Sequence, residues 1–100
     1  MVKHIVMWSF KENIKEEEKA GLKKDMKENL LSLVGKVPGL VHVEFIEEPM
    51  SASTQDMALI TELENEDALN TYQNHPDHVH VANTYIRPFV CNRSCLDYQY

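Results

Sequence analysis

One hundred residues carry ten basic against sixteen acidic side chains, a net charge of −6, with 43% hydrophobic and 26% charged residues. That length predicts one domain around one core, and the composition is that of an ordinary globular chain. The acidic balance argues against nucleic acid as a partner; with no apolar run of membrane-spanning length and no signal-peptide pattern, a cytoplasmic protein that avoids membranes is expected.

Residues 3–10 read as a strand that is apolar on both sides: Ile5 and Met7 on one face, Val6, Trp8 and Phe10 on the other. A strand of that kind is usually covered on both faces. Asn13 is the expected N-cap of a helix over residues 14–34, with Glu16, Glu17 and Glu18 in its first turn. Leu22, Met26, Leu30, Leu33 and Val34 recur at helical spacing, and Gly35 supplies a left-handed stop with Pro38-Gly39 just beyond. Lys15, Lys19, Lys23, Lys24 and Lys27 alternate with Glu16, Glu17, Glu18, Asp25 and Glu28. That alternation reads as a solvated helix face rather than a basic patch.

A second strand over residues 40–47 places Val41, Val43 and Phe45 against His42, Glu44 and Ile46. A polar loop follows, then a third strand over residues 57–63 with Met57, Leu59, Thr61 and Leu63 on one face. Asn65 caps a short helix through Asn74, and Pro76 opens another that reaches about Ile86 and is closed by Arg87-Pro88. Residues 89–98 read as the final strand, in which Arg93 shares parity with Cys91 and Cys95 and can either bind a carboxylate inside a cavity or pair with one of the many acids. Those two cysteines lie about 13 Å apart in an extended segment at ~3.3 Å per residue. That is too far for a bridge, so free thiols in a reducing compartment are expected.

The order β-α-β-β-α-β predicts an α+β, ferredoxin-like fold. Helices cover only one face of such a sheet, and an apolar second face invites association. The expectation is a homodimer in which two sheets meet face to face around a partly polar cavity; a monomer with its second face exposed is the bland alternative. His4, on the parity of Val6 and Trp8, would face that cavity. It would meet the corner made by Tyr72-Gln73-Asn74-His75-Pro76-Asp77-His78.

This corner holds the groups most suited to chemistry. Histidine exchanges a proton near neutral pH, and a phenol can donate or accept a hydrogen bond. His78, in the first turn after Pro76, is kept neutral by the positive helix end and can act as a base. Tyr72 can then hydrogen-bond the oxyanion that forms. The plain structural reading of the same residues is an inter-helix corner whose histidines are solvated or cap a backbone group. His4 can equally bond a backbone carbonyl, and Trp8 can be core. A metal site on His75, His78 and His80 is disfavoured, because spacings of three and two do not converge on one ion from a helix. Only three glycines are present, so no phosphate-binding loop exists, and no serine sits in a nucleophile elbow.

The opening Val2-Lys3-His4-Ile5-Val6-Met7-Trp8-Ser9-Phe10-Lys11, the Tyr72-x-x-His75-Pro76-x-His78 run and the closing Leu96-Asp97-Tyr98 together resemble the stress-responsive A/B barrel (Dabb) family over essentially the whole chain. The resemblance implies a dimeric α/β barrel. The family includes plant polyketide cyclases; by that likeness Tyr72 and His78 match the acid/base pair of an intramolecular aldol condensation, and His4 matches a pocket histidine. This chain departs from the cyclases in the third strand, where Met57 or Ala58 stands nearest a further pocket histidine, and in Trp8, which replaces a smaller aliphatic residue. The expectation is therefore a small aromatic or carbonyl ligand meeting His4, Trp8, Tyr72, His75 and His78, with chemistry that needs no cofactor. The competing expectations are a non-catalytic interaction module with a side-chain-filled core, and a quinol or haem monooxygenase.

Overall fold

The computed structural model describes residues 1–100. The elements run β1 (Val2–Phe10), α1 (Glu16–Leu31), β2 (Leu40–Ile46), β3 (Met57–Leu63), α2 (Glu66–Asn74), α3 (Pro76–Val81), a π-helical turn (Ala82–Ile86) and β4 (Val90–Gln99). The four strands form one sheet in the order β2-β3-β1-β4. Every neighbouring pair is antiparallel. This is the ferredoxin-like arrangement the element order predicts.

Alternation along β1 decides which face is covered. Val2, His4, Val6, Trp8 and Phe10 are all buried, whereas Met7 is exposed and Ile5 is only partly covered. The buried set joins Val43 and Phe45 of β2, Met57, Leu59 and Leu63 of β3, and Met26, Leu30, Leu69 and Tyr72 of the helices in one core. The helices lie on that face alone, and the outward side chains of Met7 and Leu96 stand in solvent beyond the other.

Both ends of α1 differ from the sequence reading. Asn13 does not cap it: Lys15 is the N-cap residue and makes no side-chain cap bond. The cause is local. The amide of Ile14 donates to the Lys11 carbonyl, closing a turn that takes up Asn13, and Ile14 packs on the core. At the other end, Leu33 and Val34 donate to carbonyls three residues back, so the helix tightens after Leu31 and Val34 is left exposed. Gly35 is left-handed at φ +90°, as a stop residue should be, but it acts on this tighter turn. Gly39 answers to packing: a Cβ there would sit 2.5 Å from the Ala68 Cβ, so only glycine lets the chain enter β2 against α2.

Two local features set up the site. Pro76 holds His75 extended (φ −65°, ψ 134°), which ends α2 and starts α3 at a sharp corner. In β4, Met7 pairs with Ser94 and Ser9 with Cys91, so Trp8 alone stands opposite both Asn92 and Arg93. This is a β-bulge, and Asn92 takes the left-handed position at φ 56°. The bulge also breaks the expected parity. Arg93 shares a side with Cys95 and Trp8, while Cys91 pairs across from Ser9.

Candidate functional site

A cavity of about 420 Å³ lies between the sheet and the helices of a single chain. β1 contributes His4, Val6 and Trp8; β3 adds Leu59 and α1 adds Leu30. The helical corner brings Gln73, His78, Ala82, Ile86 and Arg87, and the bulged strand brings Val90 and Arg93. The position corrects the sequence expectation. His4, Val6 and Trp8 do face a cavity, but it is the one beneath the helices and not a space between two sheets. The physical reason is that the helices cover this parity, and the short π turn and the Pro76 corner do not fill the space over β1.

His78 is half-buried on the cavity wall, with Nδ1 3.3 Å from the Gln73 carbonyl. Its pKa lies below the ordinary imidazole value; burial is the main cause, the Gln73 carbonyl acts in the other direction, and the charges of Arg87 and Arg93 act with burial. The imidazole is therefore neutral at pH 7, as expected, but through desolvation rather than the helix dipole. His78 packs on the Tyr72 ring at 4.3 Å between centroids.

Tyr72 is fully buried, and its hydroxyl has no hydrogen-bond partner of good geometry. Burial pushes its pKa up to about 12, with Thr61 beside it acting in the other direction. The phenol is thus a fixed proton donor that never ionises near neutral pH. It does not line the cavity. Tyr72 stands between two imidazoles, with His4 edge-on at 6.1 Å and His78 at 4.3 Å.

His4 is buried, and its Nδ1 is hydrogen-bonded to the Asp97 carboxylate directly across the β1–β4 pair. That bond leaves Nε2 as the ring nitrogen free for a ligand. Trp8 is 3% exposed, lies tilted on Phe45 at 6.3 Å, and its indole N–H has no acceptor. His75 does not join the group. Its Nδ1 accepts from the Asp77 amide at 3.1 Å, so it caps α3 and lines no part of the cavity. His80 turns away as well, toward Thr84 at 3.5 Å.

Asp97, Arg87 and Gln73 escaped the reading of the sequence as a site, whereas Arg93, weighed there as a carboxylate binder, does line the cavity. Asp97 lies 93 residues from His4, and only strand register brings them together. His4, Cys95 and Asp97 present a nitrogen, a sulfur and a carboxylate oxygen within 4.8 Å of one another, the nearest approach to a metal-ligand set in the chain. Burial, followed by the hydrogen bond and charge of Asp97, raises the Cys95 pKa, so the group is held as a thiol. Both cysteines are free. No helix is long and apolar enough to cross a membrane.

Residues 2–100 match the family model described as the Stress responsive A/B Barrel Domain. No curated protein matches the chain. Among solved structures, the chain is similar to a dimeric protein of unknown function with a ferredoxin-like fold from Bacteroides fragilis. The two are 28% identical with a TM-score of 0.90, over 99% of this chain and 95% of that one. A Dabb family protein with a ferredoxin-like fold from Mesorhizobium loti is 21% identical at a TM-score of 0.75, over 99% and 95% of the two chains. SnoaB, a cofactor-independent oxygenase from Streptomyces nogalater, is 11% identical at a TM-score of 0.74, over 99% and 91%. The last two likenesses are of fold alone.

Proposed function

The chain belongs to the stress-responsive A/B barrel domain family, and from that premise we propose that it is a homodimer whose protomers each bind a small organic molecule between sheet and helices. The reaction we assign is cofactor-independent proton transfer on a carbonyl or phenolic compound. One observation carries this reading: a neutral, half-buried His78 on the wall of a mostly apolar cavity that also holds His4, itself bonded to Asp97. His78 is the base that takes a proton from an acidic carbon. The free Nε2 of His4, whose ring Asp97 orients at Nδ1, accepts a hydrogen bond from a hydroxyl of the ligand.

Tyr72 acts as a positioning residue in this scheme, because its enclosed hydroxyl does not line the cavity. Its ring sets the plane of His78. A cavity of about 420 Å³ speaks against a side-chain-filled core. The homodimer is supported by the dimeric state of the similar Bacteroides fragilis protein and by the bare sheet face described above.

A thermal-shift screen of wild type and His78→Ala against phenols, aromatic acids and small lactones tests the binding reading. A ligand at a hundred times its Kd stabilises the fold by ~2.7 kcal/mol, a readily measured rise in Tm. Hits that His78→Ala loses and Tyr72→Phe keeps are the expected result. A complete absence of hits would refute the small-molecule reading and favour a non-catalytic interaction module.

A further inference from the structure

The chain contains two arginines, Arg87 and Arg93, and both line the same cavity. None of the sixteen acidic residues lines it. Neither arginine forms an ion pair: every bridge in the molecule is made by a lysine or a histidine. Arg87 donates to Asn83 Oδ1 at 2.5 Å, a neutral partner that leaves its charge uncompensated. Both arginines are exposed, so in a chain of net charge −6 they set a solvated positive rim on this one cavity.

Strand alternation and the π turn put them there. Arg93 reaches the Trp8 side of the sheet by plain alternation from Cys95, and the bulge just before it, with Asn92 at φ 56°, turns Cys91 to the other side. Arg87 follows the π turn directly, its amide donating to the Ala82 carbonyl at 2.8 Å. π turns cost regular hydrogen bonding and recur at functional sites. The cavity therefore collects both arginines and no anionic acceptor, against walls of Val6, Trp8, Leu59, Ile86 and Val90.

We propose that this cavity takes an apolar monocarboxylate, with Arg93 and Arg87 holding the carboxylate and the apolar walls holding its ring or alkyl tail. Guanidinium is the side chain whose planar fork matches a carboxylate, and the charge-assisted bonds so formed are the strong ones. The inference rests on the small-molecule reading above and narrows it to a substrate or product class. Delivered this way, the acid lies beside His78, the base of that scheme.

Trp8 is the only tryptophan, so its fluorescence reports on this cavity alone. The probes are 4-pentylbenzoate and 4-pentylbenzamide, which share shape but differ in charge, titrated into the intact protein. The acid is expected to bind at least about tenfold more tightly than the amide. The double variant Arg87→Gln/Arg93→Gln should weaken the acid by about tenfold to a hundredfold and leave the amide unchanged. Melting curves confirm that the variant is folded; the single variant Arg93→Gln serves if the double one is not. Equal binding of acid and amide, or an acid affinity untouched in the double variant, overturns the carboxylate assignment. If neutral phenols stabilise the fold in the thermal screen while both pentyl compounds fail here, the carboxylate assignment alone falls. If nothing binds in either experiment, the small-molecule reading falls with it.

Discussion

His78 and Tyr72 sit in contact, yet burial acts on them in opposite directions. Loss of solvent penalises the charged form of each, which lowers the imidazole pKa and lifts the phenol to about 12. Both side chains are consequently neutral across the physiological range. The histidine is a base available for a proton, and the tyrosine an enclosed donor. For His78 this is also a statement about stability. The unfolded chain binds a proton near the ordinary value of 6.5, whereas the folded chain resists it until a lower pH. Stability from the neutral imidazole is thus complete above about 6.5, the ordinary imidazole pKa, and is lost as pH falls toward the depressed folded value. Urea melts of wild type should show a falling midpoint over that acidic window. His78→Gln, which cannot be protonated, should flatten the fall. Equal slopes in the two proteins would show that His78 is not desolvated.

At the scale of elements, the site depends on how α2 and β4 are held. The Asn65 Oδ1 accepts the Ala68 amide at 2.8 Å and caps α2, the helix that carries Tyr72. Asn65→Ala should cost about 1 kcal/mol, read as a lower urea midpoint with unchanged m-value. This cap was legible in the sequence, because asparagine stood just before a helical run and Pro76 marked where the next helix begins. Strand parity in β1 was legible too, and with it the company of His4, Val6 and Trp8. The α1 cap was not: Asn13 had the right chemistry, but the Lys11–Ile14 turn, set by packing of Ile14, used the residue first. Nor was the partnership of His4 with Asp97, which exists only once β1 and β4 pair in one register. The bulge at Asn92 hid the side of Cys91 for the same reason. An extra residue changes the side of everything before it, and a strict two-residue alternation cannot anticipate that.

The whole molecule is asymmetric in what it covers. Helices shield one face of the sheet, and on the other Met7, Leu96 and Tyr98 stand 38%, 61% and 42% exposed. Strand β4 lies at the sheet edge, paired only with β1, and none of its ten residues is buried. Yet β4 carries Asp97 and Arg93, so an edge strand packed on the core only through Val90 must hold two residues of the proposed site. Such a strand frays unless something covers it. A second copy laid sheet to sheet would bury the apolar face and steady β4 at once, coupling assembly to the cavity on the opposite side. Sedimentation equilibrium should therefore give twice 11.6 kDa for wild type at micromolar concentration. Leu96→Glu, whose side chain is largely exposed in the protomer, should give a folded monomer because the new charge would have to be desolvated at the interface. That monomer should also bind the cavity's ligands more weakly, since Asp97 and Arg93 would ride on a fraying strand. A wild-type protein that sediments as 11.6 kDa, or a Leu96→Glu variant that remains dimeric, would show that the bare face is not the interface.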